Sequence, residues 1–334
     1  MQAIRRVRAM TEALWSGYQY AETDAGGWTT FWRLDPRGRD FALNDWTADP
    51  TRPEHRLWER AATPAGVRGV WTTAATSLRL EVRAAFGISK KIAPIDVLVD
   101  GQLNARCPLQ EGEQEVVVEL PGRPATVEIW LPQAGRIAVR GLALDGAAVA
   151  SEGPRWVTYG SSITQAAGAA GPSETWPALV ARARGWELRC LGLSGECHLD
   201  PVVARTIRDT PARLISLCLG VNIYGGATFG GRTLPGQVEQ FIRTVRDGHP
   251  TTPIVVITAL TVPDRDRTPN AAGLTLDDIR TCVELGARQD PGVRIIDGRT
   301  ILSADEARAL YTDGLHPGPE GYRVIAERLL TLLG

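Results

Sequence analysis

The chain has 334 residues, 43% of them apolar, with 37 Lys plus Arg against 38 Asp plus Glu and a formal net charge of −1. That length and composition describe one large or two ordinary globular domains with a substantial core. The balanced charge removes any electrostatic case for nucleic acid or an anionic membrane as partner, and no apolar run reaches the length of a membrane span.

The opening "MQAIRRVRAM" is basic, but no continuous apolar segment follows it, so no secretory signal is expected and the reading is a cytoplasmic protein. In the next stretch "GGWTTFWRL" looks like a strand and "RPEHRLWERAA" like a helical turn. Further on, "SLRLEVRAA", with Leu78, Leu80 and Val82 alternating, is followed by "IDVLVDG", "QEVVVEL", "ATVEIWL" and "RIAVRGLALDG", each a short alternating or apolar run bounded by turn residues. Several brief strands with no helices between them predict an antiparallel β-sandwich over residues 1–150.

Near residue 150 the period changes. "RWVTYG", "ELRCLGLS", "RLISLCLG", "PIVVITAL" and "VRIIDG" read as compact buried strands. Between and after them lie the helical candidates "ETWPALVARARG", "DPVVARTIRD", "LPGQVEQFIRTVRDG", "TLDDIRTCVELGAR" and "GPEGYRVIAERLLTLL". Strand and helix in alternation predict an α/β domain over residues 151–334, a parallel sheet covered by helices on both faces. Ligands of such sheets bind beyond the carboxyl ends of the strands.

At those ends the sequence places Gly160-Ser161-Ser162, Ser194-Gly195 and Gly220-Val221-Asn222, while the loop before the last helix holds Asp313 and His316 in "DGLHPG". A serine hydroxyl becomes a nucleophile when an imidazole takes its proton, and the imidazole needs a carboxylate to fix its tautomer. The tetrahedral intermediate needs donors, which the backbone N–H groups of Ser162 and Gly195 and the side-chain amide of Asn222 can supply. These are the parts of an acyl-transfer site.

The same segments resemble the sequence blocks of the SGNH, or GDSL-type, hydrolases. Gly160-Ser161-Ser162-Ile163-Thr164 matches the first block, in the branch that carries GSSIT, and "TPNAAGLTLDDIR" is similar to a segment of that branch. Gly195 in "LGLSGECHLDP", Asn222 in "LGVN" and the Asp313/His316 pair match the remaining three blocks. The resemblance implies a flavodoxin-like three-layer α/β/α fold. It also implies Ser162 as nucleophile, His316 as base, Asp313 as its orienting carboxylate, and an oxyanion hole of Ser162, Gly195 and Asn222. A jelly-roll-like β-sandwich ahead of such a domain is similar to the layout of some carbohydrate esterases. Two departures stand out: Ser161 replaces the usual Asp, and Ile223 follows Asn222 where many members have Asp.

Other readings compete at each residue. Ser162-Ile163-Thr164-Gln165 also fits a helix-capping box. His316 and "DG" fit an ordinary turn. Of the four histidines, His55 falls in the sandwich half, His249 in a connection expected at the surface, and only His198 lies near Gly195. Cys197 beside His198 suggests a thiol pair, but neighbours in an extended segment point apart. The five cysteines, Cys107, Cys190, Cys197, Cys218 and Cys282, are widely spaced without a CxxC pair, so neither disulfides nor a zinc site is implied. Seven of the ten tryptophans (Trp15, Trp28, Trp32, Trp46, Trp58, Trp71, Trp130) belong to the first half, where they pack a core or, at Trp28 and Trp32, offer a sugar platform.

The expected function is a serine esterase removing a small acyl group, acetyl above all, from a carbohydrate or secondary-metabolite ester. No cofactor or metal is expected, and the partner is a small-molecule ester, an acylated sugar among the candidates. Tyr224, Phe229 and His198 are the candidate pocket residues. The alternatives are an acyltransferase with the same three residues, or a carbohydrate-binding protein with a silent hydrolase half.

Overall fold

The computed structural model describes residues 14–37 and 54–334. Trp46, the basic opening segment and the side chain of His55 lie outside the described residues. The first half runs β1 (Tyr20–Thr23), β2 (Thr29–Trp32), α1 (Glu54–Ala62), β3 (Arg68–Thr73), β4 (Ser77–Ala85), β5 (Ile95–Val99), β6 (Gln102–Cys107), β7 (Gly112–Glu119), β8 (Ala125–Trp130), β9 (Arg136–Leu144) and β10 (Ala148–Ala150).

These strands form two five-stranded sheets, ordered β1-β2-β9-β4-β7 and β10-β3-β8-β5-β6, with every pairing antiparallel. The alternation in β4 explains the packing. Leu78, Leu80 and Val82 point inward, and Leu78 and Leu80 lie opposite Val118 and Val116 of β7, also buried. Trp15, Phe31 and Trp71 complete the space between the sheets.

The second half runs β11 (Arg155–Gly160), α2 (Ser162–Gln165), α3 (Trp176–Arg184), β12 (Glu187–Gly192), α4 (Pro201–Arg208), β13 (Leu214–Leu219), α5 (Val221–Gly226), α6 (Leu234–Gly248), β14 (Ile254–Thr258), α7 (Leu276–Ala287), β15 (Val293–Ile296), α8 (Ala304–Leu310) and α9 (Pro319–Leu332). Its sheet is wholly parallel with order β12-β11-β13-β14-β15, the doubly wound arrangement of flavodoxin-like folds. All five residues of β14 are buried, as strands covered on both faces require. Because β12 lies on one side of β11 and β13 on the other, the chain leaves β11 and β13 in opposite directions and opens a crevice at their carboxyl ends. Among the described residues no helix is long and apolar enough to cross a membrane.

The sandwich does not hang free of this sheet. Trp32, Leu34, Leu57, Trp58, Leu98 and Trp130 belong to the same apolar cluster as Trp156, Leu188 and Cys190. Polar contacts cross as well. Asp96, with no exposure, takes Arg106 Nε at 2.7 Å and the Ser173 hydroxyl at 2.7 Å, and Arg106 continues to Glu174 at 2.6 Å. Arg189 of β12 is buried and donates to Gln19 Oε1 at 2.7 Å and to the Arg33 carbonyl at 3.1 Å.

The structure decides between the two readings of Trp28 and Trp32 and corrects the one made of His249. Trp28 and Trp32 are 4% and 8% exposed, so neither ring offers a face to a sugar; the guanidinium groups of Arg83 and Arg140 lie over the Trp28 ring, 4.9 and 4.2 Å from its centre. His249, expected at the surface, is buried, with Nε2 donating to the Ile207 carbonyl at 2.9 Å and Nδ1 beside Thr252 Oγ1 at 3.2 Å.

Candidate active site

β11 ends in a turn that glycine alone permits. A Cβ on Gly160 would meet Thr164 Oγ1 at 2.2 Å, and one on Gly192, at the end of β12, would meet the Gln165 nitrogen at 2.3 Å. The short helix α2 is therefore pressed against both strand ends. Its cap is Ser161, extended at φ −84° and ψ −159°, whose Oγ accepts from Ile163 N at 3.2 Å. The capping box expected at Ser162 and Gln165 does not form. The cap falls one residue earlier, and the Gln165 side chain reaches outward to accept from Ser194 N at 3.0 Å and to donate to the Gln133 carbonyl at 3.0 Å.

Freed from capping, the Ser162 hydroxyl lies 2.8 Å from His316 Nε2. His316 Nδ1 lies 2.7 Å from Asp313 Oδ2. A carboxylate only accepts, so Nδ1 carries the proton, and the Nε2 lone pair faces a hydroxyl that donates to it. Asp313 Oδ1 accepts from the backbone N–H groups of His316 at 2.7 Å and Leu315 at 3.1 Å. Burial raises the pKa of Asp313, but the hydrogen bonds and charge from His316, with Leu315 N–H, outweigh it and hold the carboxyl below its ordinary range.

The loop carrying this pair is closed at its base. Thr312 N donates to the His316 carbonyl at 2.8 Å, Tyr311 bridges Pro317, and Gly314 turns the chain at φ +76°. It joins α8 to α9, so two helices fix where the imidazole stands.

Gly195 has φ +83° and open space where a Cβ would go; backbone conformation, not crowding, calls for glycine there. Asn222, on the first turn of α5, accepts from Cys197 N through Oδ1 at 3.2 Å, which leaves the NH2 end of its amide as the available donor.

The candidate pocket residues divide. His198 Nε2 donates to the Gly195 carbonyl at 2.9 Å while Nδ1 meets Thr228 Oγ1 at 2.7 Å, so the ring pins the Gly195 loop to the segment that follows α5 and is turned away from any pairing with Cys197. Burial pushes the Cys197 thiol far up, and its sulfur contacts the Cys218 carbonyl at 3.7 Å, which removes the thiol pair as a rival. Tyr224 is half-buried and its hydroxyl donates to the Thr268 carbonyl at 3.0 Å; Asn270 Nδ2 returns a bond to the Tyr224 carbonyl at 3.0 Å. The segment that follows Asn222 and the loop of residues 268–270 thus meet through Tyr224. Phe229 is half-buried against the core.

Sequence reasoning missed Gln165 as a bridge, because its position in "GSSITQ" matched a cap. It also missed Arg33 and Arg60, whose side chains reach the strand end from the sandwich half and which no local pattern marks.

Residues 158–324 match the model of the GDSL-like lipase/acylhydrolase family, and residues 53–140 match that of the SsfX3 N-terminal domain. No curated protein matches the chain. Among solved structures it is similar to the salicylyl-acyltransferase SsfX3 from a tetracycline biosynthetic pathway, with 30% identity, a TM-score of 0.87, and coverage of 100% of this chain and 98% of that one. A GDSL-like lipase described as putative, from Bacteroides ovatus, is 20% identical with a TM-score of 0.73, covering 95% and 93% of the two chains. A family two carbohydrate esterase from Clostridium thermocellum, in complex with cellohexaose, is 16% identical with a TM-score of 0.65, covering 80% and 92%. The last two likenesses speak to fold.

Proposed function

The chain belongs to the GDSL-like lipase/acylhydrolase family, and from that premise we propose that it transfers a small acyl group out of an ester through a covalent intermediate on Ser162. The observation that carries this reading is the continuous hydrogen-bonded line from Ser162 Oγ through His316 to Asp313, with bonds of 2.8 and 2.7 Å.

Ser162 Oγ attacks the ester carbonyl as its proton passes to His316 Nε2. The imidazolium that forms is stabilised by Asp313, and the negative charge on the former carbonyl oxygen is met by the N–H groups of Ser162 and Gly195 and the Asn222 amide. Collapse breaks the ester C–O bond, and His316 returns the proton to the departing alkoxide. A water, deprotonated by His316, then attacks the acyl-serine; the acyl C–O bond to Ser162 Oγ breaks, His316 returns the proton to that oxygen, and the acid departs. We read residues 151–334 as the catalytic domain that supplies this machinery and residues 1–150 as the accessory domain.

As a hydrolase the protein acts on esters of small acids, acetyl esters of carbohydrates or secondary metabolites being the favoured class. A second reading has a specific observation behind it: the full-length likeness to a salicylyl-acyltransferase. In that case an alcohol replaces water in the second half-reaction and the same residues serve. Product analysis separates the two. Turnover of p-nitrophenyl esters of increasing chain length and of acetylated sugars, with and without added alcohols, yields free acid throughout for a hydrolase and a new ester for a transferase. Retention of full turnover by Ser162→Ala would overturn both.

A further inference from the structure

β12 is the first strand of the parallel sheet, so one of its edges has no neighbouring strand. Such an edge presents a row of unused backbone acceptors. Here they are taken up by arginines of the sandwich half. Arg33 Nη1 donates to the carbonyls of Cys190 at 3.1 Å and Gly192 at 2.6 Å, and Arg60 Nε donates to the carbonyl of Ser194 at 2.8 Å. The two arginines are themselves joined, since Arg33 Nη2 donates to the Arg60 carbonyl at 2.5 Å. Arg33 has no exposure and Arg60, on α1, is half-buried.

The last bond of this row has a distinct consequence. The Ser194 carbonyl and the Gly195 N–H belong to one peptide unit, and a planar amide transmits what happens at its oxygen to its nitrogen. A cationic donor on the carbonyl gives a charge-assisted bond and draws density from the nitrogen, which strengthens the N–H as a donor. The residue before it is held from the other side, because Ser194 N donates to Gln165 Oε1 at 3.0 Å. Gln165 is the last residue of the helix that Ser162 begins, and its Nε2 is anchored on Gln133 of the sandwich at 3.0 Å. The peptide is thus clamped between the helix carrying the nucleophile and the helix carrying Arg60. Burial lowers the proton affinity of Arg60, while the carboxylates of Glu196 and Glu59 act to keep it charged.

We infer that Arg60 is a positioning residue for acyl transfer: it fixes and polarises the Ser194–Gly195 peptide so that the Gly195 N–H meets the developing oxyanion. The inference rests on the reading of Ser162 and Gly195 given above. It makes the sandwich part of the chemistry through a bond to the peptide that carries the Gly195 N–H.

The test uses the full chain with Arg60→Gln, Arg60→Lys and, as a control, Arg182→Gln. Arg182 donates to the Gly101 carbonyl at 2.5 Å and so ties α3 to the sandwich without contacting residues 194–195. Steady-state constants on an aryl ester are measured with affinity for a trifluoromethyl ketone, whose adduct on a serine carries the oxyanion, and with melting temperature. An oxyanion donor is worth about 10²–10³-fold in kcat, so losing its support through one peptide is expected to cost about tenfold. Arg60→Gln should lower kcat by that factor at nearly constant KM and weaken the ketone equally, Arg60→Lys should recover part of both, and Arg182→Gln should move only the melting temperature. Equal kcat in Arg60→Gln and Arg182→Gln, or a loss confined to KM, overturns the inference. Should Arg60→Gln not fold, the same comparison of ketone affinity against KM in Arg60→Lys decides. Undiminished turnover by Ser162→Ala would instead remove the underlying reading, whatever Arg60 does.

Discussion

Ser161 Oγ accepts from Ile163 N at 3.2 Å, while the neighbouring Ser162 Oγ meets His316 Nε2 at 2.8 Å. One residue of register separates a cap from a hydroxyl that meets the imidazole. Ser162→Ala is expected to lose on the order of 10⁶-fold in turnover, as other triad nucleophiles do. Ser161→Ala should retain turnover and cost about 1 kcal/mol of stability, the usual worth of a cap; paired activity and denaturation measurements check both. Asn222→Ala should cost about 10²–10³-fold in kcat with an unchanged melting curve. At this scale the sequence was legible where chemistry demands a residue type: the serine and the amide follow strands β11 and β13, and the carboxylate and histidine share the loop before the last helix. It was not legible where a side chain's partner is distant in sequence. Gln165 fits a local cap in "GSSITQ", but its actual partners are Ser194 and Gln133. His249 reads as a surface turn, but it is buried against Ile207.

Helices α8 and α9 carry the Asp313–His316 loop between them, and a clamp joins them. The Ser303–Glu306 capping box opens α8, and Arg328 of α9 holds Glu306 Oε1 at 2.5 Å and Oε2 at 3.0 Å. The Arg328 hydrogen bond, with those from Ser303, holds the Glu306 carboxyl down to about 2, from an ordinary 4.5. A carboxyl whose pKa is lower in the folded than in the unfolded chain stabilises the fold fully above the unfolded value, and that stabilisation is lost as the pH falls through the folded one. Glu306→Gln should therefore lower the melting temperature at neutral pH, and its deficit against the wild-type chain should shrink as pH falls from 4.5 toward 2. Scanning calorimetry across that range checks the sign; a deficit that grows on acidification contradicts it. The strands and helices of this half were readable because parallel strands are short apolar runs and their helices carry apolar residues at helical spacing. The exact start of α2 was not, because two serines both fit a cap.

Across the whole molecule, the sandwich and the parallel sheet share one buried seam, in which Trp32, Trp58 and Trp130 pack with Trp156 and Cys190 while Arg33 and Arg189 make hydrogen bonds across the join. A fragment of residues 151–334 would uncover that seam and leave the edge of β12 bare. It is expected to aggregate or to lose its cooperative melting transition, which solubility and calorimetry would reveal. The change of period near residue 150 told of two architectures. The seam left no such mark, because its arginines and tryptophans are scattered singly through segments with their own local patterns, and a tryptophan that packs a seam reads the same as one offered to a sugar. The most direct measurement of the central claim is mass spectrometry of the protein quenched during turnover of a slow aryl ester. The account predicts an acyl adduct on the peptide carrying Ser162, lost in Ser162→Ala and kept in Ser161→Ala; an adduct on Ser161 or Cys197, or turnover without any adduct on Ser162 in a trapped steady state, would contradict it.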